Sequence, residues 1–263
     1  MFYKKDIKYT LSKGLDEYFT GIHKAYRFTA LFFKEAFTRP FHLREVIHQC
    51  FEVGLKSLAL ISLTGFIVGI VFTKQSRPSL EDFGATSWLP SLIGIAIIKA
   101  LGPLVTALIC AGKVGSSIGA ELGSMKVTEQ IDAMEVSAIH PFKYLVVTRV
   151  LAATLMLPVL VVFADAVGLL GAFVGANLKG NVSAYLYFSQ VFQSLTFSDL
   201  VPAFIKTFFF GFAIGIIGSY KGYHSNKGTE GVGKAANSAV VFASLMVFLL
   251  DMIAVQITSL FQD

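Results

Sequence analysis

The sequence predicts an all-α integral membrane protein with five transmembrane helices. It also predicts an N-terminal interfacial amphipathic helix and a second, cytoplasmic amphipathic helix between spans two and three. Of the 263 residues, 54% are hydrophobic and 15% are charged, whereas a soluble domain averages about 25% charged residues. Several apolar runs also reach the roughly 20 residues that cross a bilayer. A soluble core would have to bury all of these runs, so we disfavour that alternative.

Residues 1–52 are predicted to form a cytoplasmic end followed by amphipathic helices at the membrane interface. Aromatic and aliphatic side chains recur on one helical face, at Phe19, Ile22, Tyr26, Phe33 and Phe37. A different face carries the cations Lys24, Arg27 and Lys34. A helix of this kind lies in the interface, with its apolar face inserted and its cations toward the headgroups. The alternative is a plain surface helix of a soluble domain.

Residues 53–263 are predicted to form the five-span domain. The spans cover about residues 53–73, 88–111, 144–177, 200–220 and 235–261, and residues 74–87 form the first polar connection. The third span is longer than a bilayer needs, so we expect it to tilt, kink at Pro158 or project from the membrane. The pairs Gly65–Gly69 and Gly211–Gly215 have the four-residue spacing that allows close helix contact.

The distribution of Lys and Arg predicts the orientation. Ten lie in the N-terminal region up to Lys56, two in the first connection and four in residues 111–149. The third connection has one, the last loop has three and the C-terminal end has none. Cytoplasmic segments carry the excess of these residues. The N-terminus, residues 111–149 and the last loop are therefore expected in the cytoplasm, and the C-terminus outside.

Residues 112–143 form the longest polar interlude between apolar segments. Apolar residues recur with the spacing of one helical face, at Val127, Ile131, Met134 and Ala138. We expect Gly123 and Ser124 to separate this helix from a shorter one over residues 113–122. A partner protein that changes conformation could bind the acidic side of this helix and displace spans two and three. A charged helix face can also be merely solvated. The candidate contact residues are Glu121, Thr128, Glu129, Asp132 and Glu135.

Ionisable residues inside spans are costly and are candidates for function. Lys99 lies about 11 residues into span two, where its charge could meet a lipid phosphate near mid-bilayer. The alternatives are a structural partner such as Asp165 or Asp251, or snorkelling. Lys206 is nearer a span end and is expected to snorkel. Asp165 and Asp251 are expected to be internal hydrogen-bonding groups.

Two rival functions are an intramembrane enzyme and a membrane scaffold without transport activity. The five histidines lie outside the predicted spans, so a serine-type intramembrane site lacks its base. Cys50 and Cys110 form no CxxC pair, and we predict no metal ligands and no catalytic residues. The chain also has no GxxxxGK[ST] phosphate loop of its own. The net charge of +5 is not a nucleic-acid signature in so apolar a chain.

The segment AGKVGSSIGAELGSMKVTEQIDAMEVSAIHPFKYLVVTRVLA closely resembles the signature of the MlaE/YrbE permease family, the membrane subunits of MCE-linked lipid ABC transporters. The family pattern is roughly AGRxGSxxxAELGxMxxTEQIDALExxxxxPxxYLxxPRxxA. Residues 101–103 match its L-G-P, and residues 222–223 match its G-Y after span four. The sequence departs at Lys113, where Arg is usual, at Thr148, where Pro is common, and at Ala100, where many members carry Glu.

The resemblance implies a homodimer that pairs with cytoplasmic ABC ATPases and an MCE-domain protein outside. Such a permease moves phospholipid, or sterol in some branches, between a bacterial inner membrane and the outer envelope, so we expect the C-terminus in the periplasm. ATP would be bound by the partner, and no cofactor is expected in this chain. The polar segment 112–143 would contain the coupling helix that meets the ATPase. The candidate lipid-binding residues are Lys99, Leu101 and Pro103.

Overall fold

The computed structural model describes residues 3–178, 182–226 and 228–260, with side chains from residue 19 onward. Within these ranges the chain forms helices and no β-strand. The helices are α1 (Tyr3–Ala36), α2 (Leu43–Asp82), α3 (Thr86–Val127), α4 (Gln130–Val136), α5 (Phe142–Asn177), α6 (Ala184–Ser194), α7 (Phe197–Tyr223) and α8 (Thr229–Leu260). In the described part of the chain, α2, α3, α5, α7 and α8 are long and apolar enough to cross a membrane. The predicted all-α fold with five membrane-spanning helices is confirmed.

The transmembrane helices extend beyond the predicted spans. Helix α2 has 40 residues, so it is about 60 Å long. It includes residues 43–52 of the predicted interfacial region and most of the predicted connection 74–87, so the predicted division after residue 52 falls inside it. The helix continues past residue 73 because its polar residues find partners. Arg77 pairs with Glu81 one turn later at 2.6 Å and donates to the Ala176 carbonyl oxygen of α5 at 2.9 Å.

Close contact between α2 and α5 depends on glycine. A Cβ atom at Gly65 would lie 2.8 Å from the Ala164 carbonyl oxygen. A Cβ atom at Gly69 would overlap the Gly168 carbonyl oxygen. At Gly211 of α7, a Cβ atom would lie 2.5 Å from a carbonyl oxygen of α5. The four-residue glycine spacing therefore marks real helix contacts, as the sequence predicted.

Helix α1 packs against the neighbouring ends of α5 and α7. The Phe28 ring lies 4.9 Å from that of Phe142 and 5.3 Å from that of Tyr220, measured between centroids. The Lys143 ammonium donates to the Thr38 hydroxyl at 2.8 Å, just after α1 ends. The side chains of the predicted apolar stripe are exposed, and one of them, Phe33, also contacts Phe212 of α7 with 5.5 Å between ring centroids. This arrangement suits a helix lying in the membrane interface.

Candidate functional site

The segment between the second and third membrane helices is more continuous than predicted. Helix α3 runs through Gly123 and Ser124 and ends at Val127, so the predicted break at Gly123–Ser124 is wrong. The chain turns at Thr128 and Glu129, and Glu129 has the left-handed φ of 59° that a non-glycine residue rarely adopts. The next helix, α4, is therefore shorter than expected.

Helix packing explains why the glycines of α3 do not end it. A Cβ atom at Gly119 would lie 3.3 Å from the Ala235 carbonyl oxygen of α8. One at Gly222 of α7 would lie 2.8 Å from the Gly119 carbonyl oxygen. One at Gly123 would lie 3.5 Å from the Val232 Cα atom. Gly119 and Gly222 therefore allow α7 and α8 to approach α3 closely, whereas the distance at Gly123 is an ordinary van der Waals contact.

Helix α4 is held to the bundle by one face and exposes the other. Ile131 is 1% exposed and belongs to the main hydrophobic core, and Met134 packs beside it. The Lys126 ammonium at the end of α3 lies 2.8 Å from the Asp132 carboxylate. Val136 is 91% exposed at the end of α4. The predicted apolar face is correct at Ile131 and Met134. It is wrong at Ala138, which lies in the following turn with a φ of 58°.

The candidate contact residues fall into two groups. Glu129, Asp132 and Glu135 are exposed at the tip formed by α4 and the turn before it, and so is Thr128. Thr128 and Glu129 precede α4, so the predicted helical face of Thr128, Asp132 and Glu135 is a turn plus a short helix. Glu121 lies on α3, away from this tip.

Glu121 forms an intramolecular ion pair with Arg149. Its two carboxylate oxygens accept from the Arg149 guanidinium at 2.6 and 3.2 Å. The Arg149 side chain is 3% exposed and that of Glu121 is 48% exposed. Arg149 also donates to the Leu145 carbonyl oxygen at 2.9 Å. Because Glu121 is on α3 and Arg149 on α5, the pair ties together the two helices that flank α4.

A second cluster of charges lies deep among the membrane helices. Lys206 of α7 pairs with Asp251 of α8 at 2.8 Å, and Lys99 of α3 pairs with Asp199 of α7 at 2.7 Å. The Lys206 ammonium also donates to the Lys99 carbonyl oxygen at 2.9 Å. These contacts connect α3, α7 and α8 at a similar depth in the helix bundle. Asp165, on α5, lies against Gly102, and its buried Oδ1 has no hydrogen-bond partner among the described residues, contrary to the expectation of an internal hydrogen-bonding group.

These pairs correct two expectations. Lys206 is buried and paired, so the prediction that it snorkels is wrong. Among the described residues, Lys99 pairs with Asp199 rather than with Asp165 or Asp251. Asp199 lies in the first turn of α7 and was placed in a polar connection from the sequence. No local pattern could have indicated it, because it lies 100 residues from its partner.

The remaining lipid-binding candidates lie next to Lys99. Lys99 and Leu101 belong to a π-helical turn, Ile97–Leu101, and Leu101 is half-buried. Single π-helical turns within α-helices often occur at functional sites. Pro103 is buried and has no N–H to donate to the Lys99 carbonyl four residues earlier. That carbonyl oxygen accepts a hydrogen bond from Lys206 instead. Because Pro103 cannot donate to it, the Lys99 carbonyl oxygen is available for this bond, which links α3 to α7.

A groove between α7 and α8 adjoins this cluster. It has a volume of about 580 Å³ and Lys206 lines it. A smaller cavity of about 50 Å³, lined by Lys99 and Asp199, shares Pro202 and Thr258 with the groove. The cluster is thus next to an apolar space of ligand size. Most of the groove lining is aliphatic or aromatic, as at Val201, Ile205, Phe209, Leu250, Ile253 and Ile257.

Five apolar helices around buried ion pairs, with a short polar helix at one end, define a polytopic membrane protein of the permease class. The chain belongs to the MlaE permease family, because the family model described as Permease MlaE matches residues 46–257. That match includes all five candidate membrane helices in large part.

Individual relatives agree with the family. An intermembrane phospholipid transport system permease protein MlaE of Haemophilus influenzae is 35% identical over 247 residues, covering 92% of this chain and 94% of the relative. A probable ABC transporter permease protein of Rickettsia typhi is 36% identical over 229 residues, covering 87% and 88%. A probable ABC transporter permease protein of Synechocystis is 32% identical over 236 residues, covering 90% of each chain.

Proposed function

We propose that this chain is the permease subunit of an ATP-driven phospholipid transporter in a bacterial inner membrane. The family match along residues 46–257, with a relative named as a phospholipid transport permease, carries this proposal. The chain would act as a homodimer with cytoplasmic ABC ATPases. It would pass lipid to or from an MCE-domain protein on the outer side. ATP would be bound and hydrolysed by the partner, so this chain would perform no covalent step.

The exposed tip at α4 is suited to contact the ATPase. Ile131 and Met134 hold α4 in the bundle, and the Lys126–Asp132 pair fixes it to α3. A force applied to Glu129, Glu135 or the exposed Val136 would therefore reach α3 and α5. The proposed coupling residues are Thr128, Glu129, Asp132 and Glu135, with Glu121 acting through its pair with Arg149.

Reversing charge at the tip should release the ATPase. The double variant Glu129→Lys/Glu135→Lys leaves the Lys126–Asp132 pair intact, so it changes the surface without breaking a known contact. We expect recovery of the co-expressed ATPase with the purified permease to fall by about tenfold, as for the loss of close charge pairs at an interface. The charge control is Glu35→Lys/Glu230→Lys, which changes charge by the same amount elsewhere and removes only two exposed contacts, Glu230–Lys234 and Thr38–Glu35. Unchanged recovery in the first variant would contradict the coupling role.

The groove and the charge cluster supply a lipid site. Its apolar lining suits acyl chains, and Lys99 lies at its polar edge. The Lys99 side chain is more exposed than that of Lys206, so Lys99 is the better phosphate contact. A lipid phosphate would bind Lys99 in exchange for Asp199, while the Lys206–Asp251 pair keeps α7 and α8 together. Leu101 and Pro103 position the Lys99 backbone.

Cysteine labelling tests the proposed orientation, with the N-terminus and α4 cytoplasmic and the C-terminus periplasmic. In a background with Cys50→Ala and Cys110→Ala, Glu135→Cys on α4 and Tyr185→Cys on α6 are both exposed positions. An impermeant maleimide should label Tyr185→Cys in spheroplasts and Glu135→Cys in inverted membrane vesicles. Labelling of Glu135→Cys in intact spheroplasts would overturn the orientation and place α4 beyond reach of an ATPase.

A further inference from the structure

Helix α1 and the adjoining ends of α5 and α7 line a cavity that is open at the surface and that no step above uses. Its volume is about 540 Å³, within the roughly 300–1,000 Å³ of small-ligand sites. It shares no lining residue with the groove between α7 and α8. Three cations of α1, Lys24, Arg27 and Lys34, line one side, and Phe142 and Tyr223 line another.

The three cations form a single stripe along α1. They are three and seven residues apart, so they share a helical face, and the stripe is about 15 Å long. Within the described ranges, none of the three forms an ion pair, and no carboxylate lines the cavity. Lys24, Arg27 and Lys34 are exposed, unlike Arg149 and Lys206, which are buried beside acidic partners. The stripe is therefore an uncompensated positive site beside a cavity.

The other faces of α1 place this stripe at the level of lipid headgroups. Phe28 and Phe32 are buried against α5 and α7. Tyr26 and Phe37 are exposed on a further face. An amphipathic helix with exposed aromatic residues and a basic face lies at the boundary between headgroups and acyl chains. Basic residues at this depth attract anionic lipid, each by about a fivefold gain in affinity.

We propose that this cavity binds the phosphate of an anionic phospholipid from the leaflet that contains α1. Lys24, Arg27 and Lys34 contact the phosphate and the other headgroup oxygens, and the acyl chains run past Leu31, which lies in the same stripe. The apolar border of the cavity at Leu31 and Phe142 favours a lipid over a soluble phosphate compound. The bound lipid fastens α1 to the bundle, and this site is separate from the proposed transport path.

Native mass spectrometry of the purified full-length protein tests the proposal. Phosphatidylglycerol is titrated against a fixed excess of phosphatidylcholine. We expect Lys24→Gln/Arg27→Gln/Lys34→Gln to weaken phosphatidylglycerol binding by at least about tenfold. The control Arg39→Gln/Arg44→Gln/Lys74→Gln removes the same number of charges outside the cavity and should change binding by less than about twofold. Equal weakening in both variants would overturn the site, as would unchanged binding in the first.

Two further measurements separate the source of the phosphate from effects on folding. Glycerol 3-phosphate should fail to displace the lipid at concentrations that saturate the site with phosphatidylglycerol. Displacement at equal concentration would overturn the lipid assignment. Circular dichroism checks that the triple variant is folded. The conservative variant Lys24→Arg/Lys34→Arg should still bind phosphatidylglycerol. If the triple variant aggregates, Lys24→Gln and Lys34→Gln are measured singly. Each should weaken binding by about fivefold, and unchanged affinity in both would overturn the proposal.

Discussion

Replacing Asp251 with leucine is expected to destabilise the helix bundle by about 3–5 kcal/mol, because the Lys206 ammonium is left buried without its counter-charge. The Lys206 side chain is 8% exposed and that of Asp251 is 17% exposed, so water cannot replace the carboxylate. The remaining hydrogen bond from Lys206 to the Lys99 carbonyl oxygen does not neutralise the charge. The measurement is the free energy of unfolding of the purified protein, from denaturant titration in mixed micelles.

The double variant Lys206→Met/Asp251→Leu separates stability from function. Replacing a buried ion pair with apolar residues of similar size is often neutral, so most of the lost stability should return. The Lys99 carbonyl oxygen still loses its donor, which should leave a deficit of about 1 kcal/mol. We expect this variant to fold and yet transport lipid poorly between vesicles, because the Lys99 backbone at the edge of the groove is no longer fixed by the hydrogen bond from Lys206. Normal transport would show that the pair is purely structural.

An exposed ion pair provides the matched control for this experiment. Lys234 and Glu230 lie 2.7 Å apart on the first turns of α8, with both side chains mostly exposed. The variant Lys234→Met/Glu230→Leu should change the free energy of unfolding by less than about 0.5 kcal/mol. If the Asp251→Leu variant and the control variant have equal free energies of unfolding, the argument from burial is contradicted.

Apolar run length and helical periodicity made the membrane helices and the core face of α4 predictable. Low charge content and runs of about 20 apolar residues are direct signs of membrane helices. The spacing of Ile131 and Met134 identified the side of α4 that enters the core. The exposed stripe of α1 followed from the same reasoning. In each case the signal lies within one helix, so no knowledge of its neighbours was needed.

Features that depend on a neighbouring helix were not predictable. Gly123 is typical of a helix break when α3 is considered alone, whereas α3 continues through it with Val232 of α8 in van der Waals contact. Lys206 near a span end suggests snorkelling, whereas Asp251 of α8 keeps it inside. Asp199 could not be linked to Lys99 because α4, α5 and α6 intervene in sequence. Such pairings arise from tertiary packing, which local patterns do not contain.

Removing Glu121 should destabilise the protein more than removing Arg149, although both changes break the same ion pair. Without Glu121, the guanidinium of Arg149 stays 3% exposed and uncompensated, so Glu121→Leu should lower the free energy of unfolding by about 3 kcal/mol. Without Arg149, the carboxylate of Glu121 is 48% exposed and can be solvated. Arg149→Leu should therefore cost about 1 kcal/mol, and the double variant should lie close to Arg149→Leu. Denaturant titration in mixed micelles measures all three.

The same variants test whether the pair makes α4 a rigid connection. Glu121 and Arg149 join α3 to α5 across the 14 residues from 128 to 141 that contain α4. Under the proposed function, movement of α4 by the ATPase reaches both helices because this pair keeps them together. Arg149→Leu, the milder change, should leave ATP hydrolysis by the complex within about twofold of normal and reduce lipid transport by about tenfold. Equal losses of hydrolysis and transport would contradict this role, because they would indicate that the ATPase is no longer bound.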